Sequence, residues 1–128
     1  KIAKWIVDHE PYKRERGVLE LTSNLQQDNH QIVEDWVNAE KEHKMALRDV
    51  LSQLAGSIQF KGPETIPVPV LTLASLGDRM VNPQCSYQIN EKYKGDLHVH
   101  PDAGHDLPLD APEWVISKMV EFQKKNKR

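Results

Sequence analysis

A nearly continuous apolar run, from Val68 to Ala74, is the feature that most constrains how this chain folds. Side chains in the run do not alternate between apolar and polar, which is typical of a strand buried on both faces of a parallel sheet. A second strand is predicted from Asp96 to His100, and a helix from Asn82 to about Tyr93 lies between the two. Because a helix connects them, the two strands should be parallel.

A further helix is predicted to begin at Pro112, since proline is favoured in the first turn of a helix. Its apolar contacts are predicted to come from Trp114, Val115, Met119, Val120 and Phe122. Residues 63–128 therefore form a βαβα unit. The fold class is α/β, with two parallel strands.

The first 62 residues have a different pattern, and none of them is predicted to form a strand. One helix runs from about Tyr12 to Thr22 and ends at Thr22-Ser23-Asn24, where Asn24 is able to take the left-handed conformation common at helix ends. A second helix, with Asp28 as its expected N-cap, reaches about Glu42. The third helix has one clear apolar face, formed by Leu47, Val50, Leu51, Leu54, Ala55 and Ile58. Gly62-Pro63 separates this helical segment, residues 1–62, from the βαβα unit.

Two parallel strands do not make a stable sheet, because a strand that is apolar on both faces needs neighbours to cover it. The other strands must come from a missing N-terminal portion or from another copy of the chain. The sequence begins at Lys1 without a methionine, so we expect it to be a piece of a longer protein. We also expect the isolated chain to self-associate through the edge beside Val68–Ala74.

Composition narrows the possible partners. The chain has 128 residues, with 17 basic and 19 acidic side chains and a net charge of −2. This balance gives no electrostatic reason to expect nucleic acid or an anionic membrane as a partner. The single cysteine, Cys85, cannot form an intramolecular disulfide, which agrees with a reducing, cytoplasmic location. We expect no cofactor.

The candidate catalytic residues are Asp78 and His105, each of which follows the end of a predicted strand. The carboxyl ends of parallel strands lie on the same side of a sheet, so the two side chains can meet. A histidine acts as a general base towards a hydroxyl nucleophile, and a carboxylate fixes its tautomer and stabilises the imidazolium that forms. Gly104 permits the tight backbone that presents His105.

In this framework the residues resemble the α/β-hydrolases. The similarity covers about Ile66 to Phe122, and its motifs are Ser75 to Pro83 after the first strand and Asp102 to Asp106 after the second, followed by Ala111-Pro112-Glu113. It implies a partial α/β-hydrolase fold, the C-terminal half of such a protein. The first 62 residues resemble the helical cap or lid that these enzymes insert before the acid-bearing strand.

The same resemblance implies that Asp78 is the triad acid and His105 the triad histidine. The substrate that it implies is a small ester-like or acyl molecule, and thioester, amide, epoxide and haloalkane chemistry also occur on this scaffold. The order of the family triad is serine, acid, histidine, so the serine should precede both residues. No G-x-S-x-G pattern occurs in the chain, and Ser57, Ser75 and Ser86 lack its strand-to-helix setting. We therefore expect an enzyme only as the full protein, with the nucleophile in the missing N-terminal part.

Two alternatives are open. His98, His100 and His105, with Asp102, nearly match the H-x-H-x-D-H metal-binding pattern of the metallo-β-lactamases, but two extra residues separate Asp102 from His105. The chain is alternatively a non-catalytic helical interaction module with a degenerate hydrolase tail. A G-x-S-x-G turn after an apolar strand upstream of this chain would favour the hydrolase. A different residue in place of its serine would favour the interaction module.

Overall fold

A computed structural model describes residues 10–42 and 46–127. Its elements, in chain order, are α1 (Pro11–Thr22), α2 (His30–Glu42), α3 (Leu47–Gln59), β1 (Leu71–Ser75), α4 (Gln84–Tyr93), β2 (Asp96–His100), α5 (Leu107–Asp110) and α6 (Pro112–Lys125). The predicted α/β class and the order strand, helix, strand, helix are confirmed, and the short helix α5 is an addition. The division at residue 62 stays a prediction, and residues 1–9 and 43–45 of the segment lie outside the described residues.

β1 and β2 form a parallel pair, and Leu71 lies opposite Asp96 while Ser75 lies opposite His100. In the described part of the chain the sheet contains these two strands. The predicted start of β1 at Val68 is wrong, because pairing begins three residues later. Pro67 and Pro69 lack an amide hydrogen, so the backbone cannot donate at these two positions.

Burial of β1 also differs from the prediction. Leu71, Thr72 and Leu73 are only half-buried, whereas Ala74 and Ser75 are buried. The physical reason is that α4 and α6 pack against β1 while its outer edge has no neighbouring strand among residues 10–42 and 46–127. Burial is thus greatest at the carboxyl end of β1. The buried apolar side chains are Leu19, Val33, Ala74, Ala103 and Leu107.

The helical segment begins with α1 and α2, which pack against each other. Leu19 in α1 and Val33 in α2 are buried, and the Tyr12 hydroxyl lies 2.8 Å from Nδ1 of His30. The predicted N-cap of α2, Asp28, is wrong. The side-chain oxygen of Asn29 instead accepts the amides of Gln31 and Ile32, at 3.2 and 3.4 Å.

The predicted end of α1 at Thr22-Ser23-Asn24 is confirmed, but Asn24 does not take the left-handed conformation. Among the described residues other than glycine, only Lys94, at the end of α4, has a positive φ. α1 ends instead through an extended Ser23, whose amide donates to the carbonyl of Leu19. The side chain of Asn24 contacts the turns that follow β1 and β2.

α3 forms where the apolar periodicity of the sequence predicts it, but the side chains of its apolar face are exposed to solvent. Leu51, Leu54 and Ile58 are 58%, 54% and 85% exposed. Of the helices within the described ranges, none has the length and apolar character needed to cross a bilayer.

Candidate active site

The acid turn, residues 76–83, follows β1 and holds Asp78 through its backbone. Oδ1 of Asp78 accepts hydrogen bonds from the amides of Met80 and Val81, at 2.8 and 2.9 Å. The other oxygen, Oδ2, lies 2.8 Å from Nδ1 of His105, which is 27 residues away in the chain. The structure thus brings the two predicted site residues into direct contact. Their catalytic roles stay a prediction.

The protonation of this pair follows from the environment of Asp78. Burial acts to raise the pKa of Asp78, but the hydrogen bonds from Val81, His105 and Met80 and the charge of His105 together hold that pKa below its usual value. The carboxylate is therefore ionised at neutral pH and only accepts hydrogen bonds. Because ionised Asp78 can only accept, Nδ1 of His105 is the donor in this contact, and in the neutral form of the imidazole Nε2 then has the free lone pair.

Solvent reaches the two side chains unequally. The side chain of Asp78 is 15% exposed and that of His105 is 40% exposed. A shielded carboxylate with a more accessible imidazole is the arrangement that a general base needs, because the imidazole must reach its proton donor while the carboxylate orients it.

The histidine loop, residues 101–106, follows β2 and is shaped by the last residue of each strand. Nδ1 of His100 accepts the amides of Asp102 and Ala103, at 3.2 and 3.0 Å. The hydroxyl of buried Ser75 donates to the carbonyl of Ala103 and accepts the amide of Gly77 at 3.2 Å. Ser75 therefore connects the acid turn to the histidine loop.

A buried carboxylate that sequence reasoning missed anchors the same loop. Asp110, in α5, is 6% exposed, and its oxygens accept hydrogen bonds from four donors. They are the hydroxyl of Ser23 and the amides of Asn24, Leu25 and Gly104. Burial acts to raise the pKa of Asp110, but these hydrogen bonds hold it below the usual value. No periodicity or spacing in the sequence marks this residue, since its partners lie up to 87 positions away.

A second missed residue is Arg79, directly after Asp78. Its guanidinium donates to the carbonyls of Glu20 and Ser23, the latter at 2.7 Å. These carbonyls lie at the end of α1, where the last carbonyls of a helix lack partners within it. The acid turn is thereby attached to the helical segment.

A cavity of about 160 Å³ lies beside the pair. Asp78, His105, Ser75, Ser86 and Val81 are among its lining residues. The Ser75 hydroxyl is directed to backbone carbonyls of Ala103 and His100. In the part of the chain that the structure describes, no hydrogen bond joins a serine hydroxyl to His105.

Within the described ranges, the candidate metal ligands of the alternative interpretation do not converge on one point. Among residues 10–42 and 46–127, no three histidine, cysteine or acidic side chains lie close enough together to hold one ion. His98 lies in a separate depression with Asp96, Glu121 and Lys125. His100 uses Nδ1 for backbone amides, and His105 uses Nδ1 for Asp78.

Comparisons with known proteins agree with this architecture. No protein-family model matches the sequence, and no curated protein matches it significantly. Among solved structures, the chain is similar to the crystal structure of a proposed non-heme bromoperoxidase, BpoC, from Mycobacterium tuberculosis H37Rv, with a TM-score of 0.72 and 22% sequence identity. The similarity covers 99% of this chain and 50% of that one, so the chain spans about half the length of the similar structure. That enzyme has the α/β-hydrolase fold. The chain has a partial α/β-hydrolase fold, in which a helical segment precedes two parallel strands.

Proposed function

We propose that this chain supplies the acid and the histidine of a Ser-His-Asp triad that hydrolyses small ester-like or acyl substrates. The observation that carries the proposal is the 2.8 Å contact between Oδ2 of Asp78 and Nδ1 of His105. Each residue lies just past the carboxyl end of its strand, where functional groups gather in open α/β sheets. The fold similarity supports the same assignment.

The chemistry of the pair follows from its protonation. Nε2 of His105 takes the proton of a serine hydroxyl as that oxygen attacks the acyl carbon, and then gives the proton to the leaving group. Asp78 stabilises the imidazolium formed between these steps and keeps the proton on Nδ1. The nucleophile lies outside this sequence, upstream of both residues, as the chain order of the family triad requires.

The test uses the complete polypeptide that carries the nucleophile, with His105→Ala compared with the unchanged protein. Hydrolysis of p-nitrophenyl acetate should fall by about 10³-fold or more, since loss of one triad member removes the whole proton-transfer route. His98→Ala is the matched control, because His98 lies in a different depression from the pair. Unchanged turnover in His105→Ala would remove His105 from the mechanism.

The 128-residue chain by itself gives a second measurement. It should hydrolyse the ester no faster than free imidazole at the same concentration. Faster hydrolysis that depends on Ser75 or Ser86 would contradict the assignment of the nucleophile to an upstream segment.

One observation favours a second candidate, a helical interaction module. The apolar side chains of α3 are exposed, and exposed apolar surface commonly marks a contact with another protein or segment. The two candidates differ in the upstream sequence, where a G-x-S-x-G turn after an apolar strand identifies the enzyme.

A further inference from the structure

The loop between α1 and α2, residues 23–29, lies against both turns that carry the candidate catalytic pair. The side-chain amide nitrogen of Asn24 donates to the carbonyl of Gly77 at 2.9 Å and to the carbonyl of Asp102 at 3.0 Å. Gly77 directly precedes Asp78, and Asp102 lies three residues before His105. One amide group therefore joins the acid turn to the histidine loop.

Asp110 fixes the backbone from which this side chain projects. A single oxygen, Oδ2, accepts the amide of Asn24 at 2.8 Å and the amide of Gly104 at 2.5 Å. Gly104 is the residue immediately before His105. Asn24 and the histidine loop thus share one buried acceptor. In addition, the amide of Asp106, just after His105, donates to the carbonyl of Thr22 at 2.9 Å.

The three segments approach each other too closely for an additional methyl group. A Cβ atom built on Gly77 would lie 2.4 Å from Nδ2 of Asn24 and 2.4 Å from the carbonyl oxygen of Ala103. On Gly104 it would lie 2.4 Å from the carbonyl oxygen of Thr22. Backbone atoms cannot yield as the end of a flexible side chain can, so glycine is required at both positions.

From these contacts we propose that Asn24 is a positioning residue for the Asp78–His105 pair, which it sets in register by holding both turns at once. The proposal rests on the proposed function for its catalytic consequence, although the geometry that it predicts is measurable without catalysis. The amide nitrogen of Asn24 donates to backbone carbonyls of the acid turn and the histidine loop. Its effect on catalysis therefore passes through the positions of Asp78 and His105. Its own loop belongs to the helical segment, so the position of that segment is coupled to the geometry of the pair.

The residue type follows from the two acceptors. A primary amide nitrogen has two hydrogens and so donates to two carbonyls at the same time. Aspartate has the same shape as asparagine but places an acceptor oxygen against both carbonyls. Alanine leaves both carbonyls without this donor. A small displacement is sufficient for a large effect, since a misplacement of about 1 Å reduces a catalytic rate by about 10²-fold.

The first experiment measures the tautomer of His105 in the complete polypeptide, by long-range ¹H–¹⁵N correlation spectra of the imidazole ring. The unchanged chain should show the proton on Nδ1, held there by Asp78. Asn24→Asp should shift His105 towards the form with the proton on Nε2, while the backbone spectrum outside the two turns is retained. A merely structural destabilisation does not change the tautomer of folded molecules.

Asn38→Asp is the matched control, because it makes the same chemical change on an exposed face of α2, where the side chain accepts a hydrogen bond from Lys41. It should leave the His105 tautomer unchanged. If Asn24→Asp does not fold, Asn24→Ala provides the same test without placing an oxygen against the carbonyls. A folded Asn24 variant that keeps the Nδ1 tautomer of the unchanged chain would overturn the proposal.

The second experiment is a double-mutant cycle on the complete enzyme. Asn24→Asp alone should lower kcat by about 10- to 100-fold with little change in KM. In an Asp78→Asn background the same substitution should add little, because the geometry that it disturbs is already ineffective. An equal additional loss in that background would contradict the positioning role. If Asp78→Asn itself leaves activity unchanged, the proposed function fails, whereas the tautomer result still decides the role of Asn24.

Discussion

The two oxygens of Asp78 have separate partners: Oδ1 accepts two backbone amides of its own turn, and Oδ2 lies 2.8 Å from Nδ1 of His105. The turn therefore holds the carboxylate through Oδ1, independently of the histidine. These contacts hold the carboxylate in place and keep it ionised. Each substitution of the pair should act according to which of the contacts it removes.

Asp78→Asn should retain the fold but lose most of the activity of the complete enzyme. Asparagine keeps an oxygen for the turn amides, but its amide group then faces Nδ1 of His105 as a donor, which favours the wrong tautomer. The expected loss of kcat in ester hydrolysis is about 10⁴-fold. Asp102→Asn is the control, since it removes an exposed carboxylate from the histidine loop and keeps the backbone carbonyl that Asn24 binds. Comparable activity in Asp78→Asn and Asp102→Asn would count against the triad.

The ionised Asp110 should make the stability of the chain depend on pH. Its pKa in the folded chain lies below the usual value of about 3.9, so the folded state favours the charged form. Its contribution is fully present above about pH 4 and is lost as the pH falls through the lower folded pKa. Asp110→Asn should destabilise the chain by about 1–3 kcal/mol at neutral pH, because buried donors lose a charged acceptor.

The measurement is urea unfolding of the unchanged chain and of the Asp110→Asn variant from pH 7 down to about pH 2. The difference in the free energy of unfolding between these two proteins should shrink as the pH falls. A difference that stays constant across this range would mean that the charge of Asp110 contributes nothing to stability.

Gly104→Ala should destabilise the chain, whereas the same substitution at Gly56 should not. The added methyl group at position 104 would overlap the backbone of Thr22, and the expected cost is about 1–3 kcal/mol. A Cβ at Gly56, inside α3, would have no atom within 4 Å. Gly56→Ala should therefore stabilise the helix by about 0.5–1 kcal/mol. Thermal unfolding of the two variants provides the comparison, and equal melting temperatures would show that the histidine loop adapts freely.

The isolated chain should self-associate, because apolar surface beside β1 is exposed. Leu71, Ile116, Met119, Val120 and Phe122 line an open groove of about 550 Å³, and Met119 is 56% exposed. Contiguous apolar surface of this kind favours association. Light scattering should detect a dimer or larger species, and a variant with both Ile116→Lys and Met119→Lys should be smaller. A monodisperse monomer of the unchanged chain would contradict this expectation.

The sequence by itself determined the order of the main helices and strands and the position of the candidate pair in the chain. The apolar run after Gly62-Pro63, the bounds of β2 and the acid and histidine after successive strands were all readable, because strand and helix periods depend on local side-chain order. Local signals failed at the start of α2, where the sequence predicts Asp28 as the N-cap and the structure has Asn29. Asn29 and Asp28 are both good N-caps, and only the position of the first helical turn selects Asn29.

The tertiary structure alone decided what holds the pair in place. Apart from the bond between Asp110 and Gly104, the hydrogen bonds of Asn24, Asp110 and Arg79 to these segments join residues 53 to 87 positions apart, and no local pattern encodes such pairs. Their donors and acceptors become neighbours only when the α1–α2 loop lies across the ends of both strands. The chain order thus placed an acid and a base at the same end of the sheet. The packing of the helical segment against that end fixed the separation of Asp78 and His105.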